Sequence, residues 1–410
     1  MKVLLRTYGC RANQYDTEAV RQMLAAAGVE ETRDAADADV AIFNSCTVTA
    51  AAEADLRGDI RRASRLRPGL RTIVMGCAPG VPSRDERISP LATLPSVHAL
   101  IAGADLEGVA SLLGLDSRKT MAHQTGARAL LRIQDGCDEH CTFCATTLSR
   151  GANRSRAIPD IVDEAMALSA LHPEIVLTGI HIGTYGRDIG SSLSTLVERL
   201  ITDVPRVRFR LTSIEATEVD ERLGELLTAD ASRLAPHLHA PLQSGSNSVL
   251  KRMGRHWYTA ESYAAAVLRI TGNTSPFALS ADVITGFPGE SESDHAATLA
   301  VINRLPFTSI HVFPYSPRPG TAAVRLGPAI DAATARRRAR ELRDAGGEKA
   351  HEYEQSRLGG SCDVVVTERG KGLSEDYLSV AVSESVQRRA RFRGKLREMD
   401  GRLTAIPSET

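Results

Sequence analysis

The chain has 410 residues, too many for one core of ordinary size, so two or three domains are expected. Its composition, 42% hydrophobic and 24% charged, is that of a soluble globular protein, and no run approaches the roughly 18 apolar residues that cross a bilayer. Net charge is zero, so bulk electrostatics does not announce a nucleic-acid partner.

The N-terminal MKVLLRTYGC has no extended apolar core and no cleavage site, so it reads as a first strand and predicts a cytoplasmic protein. Strands are predicted at Lys2–Thr7, Val40–Asn44 and Thr72–Met75, with helical periodicity at Asp16–Ala27 and Ala51–Leu66 between them. This alternation predicts a parallel sheet. Each strand runs into a cysteine: Cys10, Cys46 and Cys77. Open parallel sheets bind ligands beyond the carboxyl ends of their strands, so the three thiols are expected to meet at one edge.

A polar link at Asp116–Gly126 ends this first region. Six further strands are predicted at Leu130–Gln134, Glu174–Thr178, Arg206–Leu211, His237–Ala240, Leu279–Ile284 and Thr308–Phe313. Helices are expected at Asp160–Leu171, Leu193–Ile201, Asp220–Ala229, Glu261–Thr271 and Ser291–Leu305. The pattern predicts a partial or complete α/β barrel with its chemistry at the C-terminal strand ends. Alternating β-branched runs at Gly359–Thr367 and Tyr377–Val382 predict a small β-barrel at the C-terminus. The expected division is 1–115, 123–355 and 356–410.

Seven cysteines in a reducing compartment point to metal ligation or apolar burial more than to disulfides. In DGCDEHCTFCATT, Cys137, Cys141 and Cys144 are spaced C-x3-C-x2-C just after a strand. Three thiolates in one short loop suit a [4Fe–4S] cluster and leave one iron open for a substrate or for S-adenosylmethionine (SAM). A zinc site completed by His140 is the alternative, although structural zinc prefers paired C-x2-C units. Cys10, Cys46 and Cys77 provide a second trio, either for another open-iron cluster or as small buried hydrophobes. Cys362 has no cysteine near it in sequence and reads as structural.

Two runs of basic residues stand out. Arg336, Arg337, Arg338, Arg340 and Arg343 share a predicted helix with Glu341 and read as a solvated face. Arg388, Arg389, Arg391, Arg393, Lys395 and Arg397 lie in the small C-terminal region, where RNA contact and a solvated face both remain open.

YGCRANQYDTE, NSCTVT, MGC and IQDGCDEHCTFC, followed by LTGIHIGTYG, RLTSIEATEV, HAPLQSGSNSVLKRMGR, DVITGFPGE and FPYSPRPGT, resemble in order the motifs of the radical-SAM methylthiotransferase family. The resemblance covers almost the whole chain. It implies an N-terminal methylthiotransferase domain, a radical-SAM partial (β/α) barrel and a C-terminal TRAM-like RNA-binding domain. IQDGC, GIHIGTYG, SIEA and HAPLQSGS look most like the branch that acts on threonylcarbamoyladenosine-37 of tRNA. Two other branches act on isopentenyladenosine-37 of tRNA and on a ribosomal-protein aspartate. ATTLS after Cys144, Ala157 after RSR and APG after Cys77 depart from the family pattern without removing a thiolate.

The resemblance implies two [4Fe–4S] clusters. Cys137, Cys141 and Cys144 would hold the one that cleaves SAM to a 5′-deoxyadenosyl radical, and Cys10, Cys46 and Cys77 the one that carries the transferred sulfur. SAM contacts are expected from Thr178, Gly179, Glu215, Gln243, Ser244 and Gly286. His239 and Trp257 read as a satisfied barrel histidine and a packing aromatic. Arg150, Arg154 and Arg156, with Arg388, Arg389, Arg391 and Arg393, are candidates for contact with the tRNA anticodon stem-loop. A low-potential electron donor and a monomeric state are expected. A zinc-stabilised RNA-binding protein without catalysis is the rival from another class.

Overall fold

A computed structural model describes residues 1–47, 50–81, 90–116, 123–272, 276–328 and 330–408. The chain forms two compact units. One comprises 1–124, 134–154 and 316–325, and the other 125–133, 155–315 and 326–410.

The first unit is built on a parallel sheet of order β2-β1-β3-β4-β5, with β1 Lys2–Thr7, β2 Glu30–Thr32, β3 Val40–Ser45, β4 Arg71–Gly76 and β5 Val97–Ala102. Helices α1 Arg11–Ala26, α2 Ala50–Leu66 and α3 Leu106–Leu113 cover it. Two apolar clusters form because successive strand residues point to opposite faces. Leu5, Ile42, Ile73 and Met75 pack with Val20 and Leu24 of α1, and Leu4, Ala41, Phe43 and Val74 pack with Leu56 and Ile60 of α2. The expected polar link at Asp116–Gly126 falls largely on 117–122, outside the described residues.

The second unit contains six parallel strands: β6 Ala129–Arg132, β9 Glu174–Thr178, β10 Arg208–Leu211, β11 His237–His239, β12 Ala278–Thr285 and β13 Ser309–Pro314. The short strands β7 Gln134–Asp135 and β8 Arg154–Ser155 flank the segment that follows β6. The six long strands form two three-stranded sheets, β10-β9-β6 and β11-β12-β13, and isolated bridges Phe209–Leu234 and Ser213–His239 join β10 to β11. This is the partial barrel expected. Helix α4 is Thr146–Arg150, in the first unit. Helices α5 Ile158–Ser169, α6 Leu193–Asp203, α7 Glu221–Ala229, α8 Asn247–Arg252, α9 Ala260–Thr271, α10 Glu292–Arg304 and α11 Ala332–Arg357 belong to the second. Their starts are set by caps. Asp220 accepts from the Leu223 amide, Ser291 and Asp294 form a capping box, and Asp331 accepts from Ala333 and Thr334. Strand β10 starts two residues later than the sequence suggests because Arg206 turns the chain at φ +67°.

Strands β14 Ser361–Glu368, β15 Lys371–Leu373, β16 Ser379–Ala381, β17 Arg391–Met399 and β18 Arg402–Pro407 close into a small barrel. Cys362, Val364, Val366, Val380 and Leu396 fill it, so Cys362 is structural, and burial pushes its thiol up to about 12. The small barrel is fastened to the parallel strands by a charged knot. Fully buried Glu174 pairs with Arg208 (2.6 Å) and Arg210 (2.9 Å). Those arginines also donate to the carbonyls of Asp363 (2.8 Å) and Ser374 (2.9 Å), and Tyr377 stacks on His237. No helix among the described residues is long and apolar enough to cross a membrane.

Candidate functional site

All six candidate ligand cysteines belong to the first unit, which gathers them from four separate stretches of chain. Cys10 is the residue before α1, Cys46 follows β3, and Cys77 follows β4. Two glycines make the convergence possible. Gly9, at φ +93°, lies so close to Cys46 that an added Cβ would sit 2.5 Å from its Sγ. Gly76, at φ +96°, packs in the same way on Asn44 and Ser45.

The centre of this trio is Asn13, a residue the sequence reading passed over. It is fully buried on the first turn of α1. Its Nδ2 donates to the carbonyls of Tyr8 (2.9 Å) and Ser45 (2.7 Å), which bolts α1 to the ends of β1 and β3. Its Oδ1 lies 3.8 Å from the Sγ of Cys10 and 3.9 Å from that of Cys77. It also accepts from Arg150 at 2.6 Å.

Arg150 corrects a sequence expectation. It was a candidate for RNA contact, yet it is buried. It donates to Cys77 Sγ (3.4 Å), to Asp16 (2.9 Å) and to Asp135 (3.3 Å). A guanidinium so enclosed has no phosphate to meet. It instead ties the segment that carries the second cysteine trio to the first. The backbone agrees: Gly80, just past Cys77, packs so closely on Ser149 that an added Cβ would lie 2.7 Å from its carbonyl oxygen.

The second trio lies between β7 and α4. Gly136, at φ +74°, passes the backbone of Ala152 where no side chain fits, and the Cys137 amide donates to the Gly151 carbonyl at 3.0 Å. The loop turns its amides on its own sulfurs: Glu139 N–H lies 3.4 Å from Cys137 Sγ, and Thr146 N–H 3.4 Å from Cys144 Sγ. Such donors stabilise thiolates and the clusters they hold. Burial pushes the Cys144 thiol above its ordinary value, so a bound cation is what would draw the proton off.

Donor spacing bears on zinc. A tetrahedral zinc–thiolate site sets its sulfurs roughly 4 Å apart. Among the described residues, neither cysteine trio, with or without His140, brings three donor atoms within 4.8 Å of one another. All six thiols are free of disulfides. Donors of pure sulfur, spread more widely than one ion needs, fit a multi-iron cluster.

In the second unit the expected SAM contacts divide. Thr178 and Gly179 do end β9. Glu215 is buried beyond β10 with one carboxylate oxygen on Arg255, which lies over the rings of Trp257 (4.8 Å) and Tyr258 (5.0 Å). Its Oε2 is buried with no hydrogen-bond partner among the described residues. Burial outweighs Arg255 and raises its carboxyl above the ordinary value. Gln243, at φ +59°, is locked to β12 through Asp282 and Ile284 backbone bonds of 2.8 and 2.9 Å.

Ser244 and Gly286 have structural duties of their own. The Ser244 hydroxyl is fully buried and accepts from the Ser246 amide (3.1 Å), so it builds the turn before α8. Gly286 is a glycine because it packs against α11, where an added Cβ would sit 3.1 Å from the Cβ of Ala335.

The remaining arginines also sort by burial. Arg154 is exposed, while Arg156 pairs with Glu164 at 2.8 Å. Arg388 and Arg389 donate to the carbonyls of Thr125 (2.6 Å) and Gly126 (3.2 Å), and Arg391 is held by Asp363 at 2.6 Å. Arg389 and Arg391 are partly buried in these contacts, whereas Arg388 stays exposed. Arg393, Lys395 and Arg397 alternate outward along β17 and stay exposed. In the other basic run, Arg337 is exposed and pairs with Glu292 and Glu341, as a solvated helix face would, but Arg338 is buried and pairs with Glu290 at 2.8 Å, so the face is not solvated throughout.

Residues 2–92 match the model of Uncharacterized protein family UPF0004, and residues 131–302 that of the Radical SAM superfamily. The chain is 32% identical to the threonylcarbamoyladenosine tRNA methylthiotransferase MtaB of Aquifex aeolicus, over 93% of this chain and 96% of the relative. It is 33% identical to the protein of that name from Bacillus subtilis, over 98% and 93%. A tRNA-2-methylthio-N(6)-dimethylallyladenosine synthase of Caldicellulosiruptor saccharolyticus is 31% identical, over 88% and 81%. Among solved structures, the radical S-adenosylmethionine methyltransferase TsrM of Kitasatospora setae, with cobalamin and a [4Fe-4S] cluster bound, shares the fold. Its TM-score is 0.55 at 16% identity, covering 78% of this chain and 76% of that one. With relatives above 30% identity along nearly their whole length, and with cysteine-lined strand ends and a partial barrel to match, the chain belongs to the radical-SAM methylthiotransferase family and is a transferase.

Proposed function

We propose that this enzyme methylthiolates C2 of N6-threonylcarbamoyladenosine at position 37 of tRNA, acting in the cytoplasm as a monomer on the anticodon stem-loop. The observation that carries the reading is the assembly of six cysteines, none in a disulfide, into two trios within one compact unit, linked by Arg150 and Asn13.

Cys137, Cys141 and Cys144 would hold one [4Fe–4S] cluster, and Cys10, Cys46 and Cys77 the other. When bound, the two clusters with SAM supply an electron source, a hydrogen-abstracting radical and a sulfur to be methylated and transferred. The chain's own residues do the positioning. Asn13 orders Cys10 and Cys77, and Arg150 sets positive charge beside Cys77 where thiolate charge builds up. The amides of Glu139 and Thr146 hydrogen-bond the sulfurs of the other trio. Glu215 offers its unpaired oxygen to the ribose hydroxyls of SAM, with Thr178, Gly179 and Gln243 at neighbouring strand ends. Arg154 and the β17 face of Arg393, Lys395 and Arg397 meet RNA phosphates. A low-potential electron donor completes the cycle. In functional terms, 1–115 carries the sulfur, 123–355 the radical chemistry and 356–410 the RNA contact.

The test is nucleoside analysis of tRNA from cells lacking this chain. The reading expects loss of the 2-methylthio derivative of threonylcarbamoyladenosine, with the unmethylthiolated nucleoside accumulating. Loss of 2-methylthio-isopentenyladenosine instead, or of a modified ribosomal aspartate, would assign the enzyme to another branch.

A further inference from the structure

The sheet β11-β12-β13 has two unlike faces. Leu279, Ala281 and Val283 of β12 point into the apolar core that the helices cover. Ser280, Asp282 and Ile284 alternate with them and point to the helix-free face. On that face Asp282 stands in register with His311, and Ile284 with Phe313.

The first pair belongs to a polar cluster. His239 lies 3.3 Å from one oxygen of Asp282, His311 lies 3.2 Å from the other, and the imidazole rings are 5.7 Å apart. The Ser280 hydroxyl fixes the other ring nitrogen of His239 at 2.8 Å and also reaches His237 at 3.2 Å. Burial pushes the Asp282 carboxyl up, but the two histidines outweigh it and hold the carboxyl well below its ordinary value. The cluster is open to solvent at its outer end, with the His311 side chain 55% exposed.

One register step further, the pair becomes apolar. Phe313 is 39% exposed on the same face, an unusual place for a large aromatic ring inside a barrel wall. Directly beside both steps, the backbone of Gln243 bonds on either side of Val283, to Asp282 and Ile284.

We propose that this face reads the modified base: Phe313 and Ile284 receive the adenine ring, and His311 with Asp282 binds the threonylcarbamoyl group. This rests on the substrate reading above and specifies the residues that make the choice. A threonylcarbamoyl group presents a carboxylate, a hydroxyl and ureido N–H groups. An imidazolium matches the carboxylate, and the Asp282 oxygens accept from the hydroxyl or the N–H. An exposed aromatic ring is the usual platform for an unstacked base. A dimethylallyl group satisfies none of these polar atoms. Seating it here would strip water from His311 and Asp282 without replacing it, which is how hydrogen-bonding sites reject apolar analogues. Ser280 and His239 hold Asp282 in place and are positioning residues.

The experiment uses the enzyme with its clusters in place and anticodon stem-loop RNAs that differ only at residue 37: threonylcarbamoyladenosine, its methyl ester, or dimethylallyladenosine. The wild type should bind the free carboxylate at least about tenfold more tightly than the ester, the worth of one charge-assisted hydrogen bond. His311→Ala, at an exposed position that should not perturb folding, should bring the two within about twofold by weakening only the carboxylate form. Phe313→Ala should weaken all three RNAs alike. A His311→Ala enzyme that keeps the tenfold preference while methylthiolating threonylcarbamoyladenosine overturns this inference and leaves the substrate reading standing. A wild type that methylthiolates only the dimethylallyl RNA overturns both. Loss of the wild-type preference on adding a chelator would make the cluster a metal site, and would overturn direct recognition.

Discussion

Each unit of this protein buries an arginine knot, and the two are put to different uses. In the second unit Glu174, Arg208 and Arg210 are each fully buried, and the two arginines also donate to main-chain carbonyls of the small barrel. The anions and carbonyls of that knot are all fixed parts of the fold. In the first unit Arg150 is equally enclosed by Asp16 and Asp135, yet it also faces Cys77 and Asn13, so its anions include a sulfur whose charge depends on what it binds. A buried ion pair whose partners are all fixed serves architecture. One that includes a thiol is coupled to chemistry.

The largest expected effect lies on the chemical side. Replacing Cys10, Cys46 and Cys77 together with alanine should abolish methylthiolation and lower iron from about eight to about four per chain, in a protein whose circular dichroism is unchanged. Full iron content in that variant would break the assignment of the trio. On the architectural side, Glu174→Gln strands two buried guanidinium groups and should cost about 3–5 kcal/mol in urea unfolding. The pH dependence follows. Burial alone would raise the Glu174 carboxyl, but Arg210, Arg208 and Arg128 hold it well below its ordinary value. Its folded value is therefore depressed, so its stabilisation is complete above the unfolded value of about 4.3 and drains only as pH falls toward the folded one. The wild type should thus resist acid to a lower pH than Glu174→Gln.

A smaller effect sharpens the contrast. Arg150→Lys keeps the charge but loses the fork that spans Asn13, Asp16, Asp135 and Cys77. It should cost about 1.5–3 kcal/mol of stability and also lower iron occupancy at the N-terminal trio, whereas Glu174→Gln should leave iron per folded molecule unchanged. Smallest is the outer face of β17. Arg393→Glu with Lys395→Glu should weaken tRNA binding about tenfold at low salt and flatten its salt dependence, with thermal stability unchanged.

The convergence of Cys10, Cys46 and Cys77 was legible in the sequence because alternating strands and helices force parallel strand ends to one edge. Other features were not. Asn13 looks like any polar residue near a helix start, and only the fold shows its amide bridging two strand ends and two sulfurs. Helix α1 begins at Arg11, well before the apolar period at Val20, Met23 and Leu24 sets in, so periodicity alone places its start at Asp16. Arg150 was misread because a string of letters does not show depth: Arg150 and Arg154 are four residues apart, and one is enclosed while the other is open. The same blindness placed Arg391 with Arg393, although Asp363 holds the first. The face shared by His311 and Phe313 needed a register, which neighbouring strands supply and single strands do not.

The small barrel closes on itself, with β14 and β16 both joined around to the β17–β18 pair. A closed cylinder offers no unpaired rim onto which a foreign strand can graft. Anything that meets it must do so through outward side chains and hairpin tips. The outward side chains carry no pairing duty, so drift at Arg393, Lys395 or Arg397 can change the charge the barrel presents without reopening the question of how the domain folds.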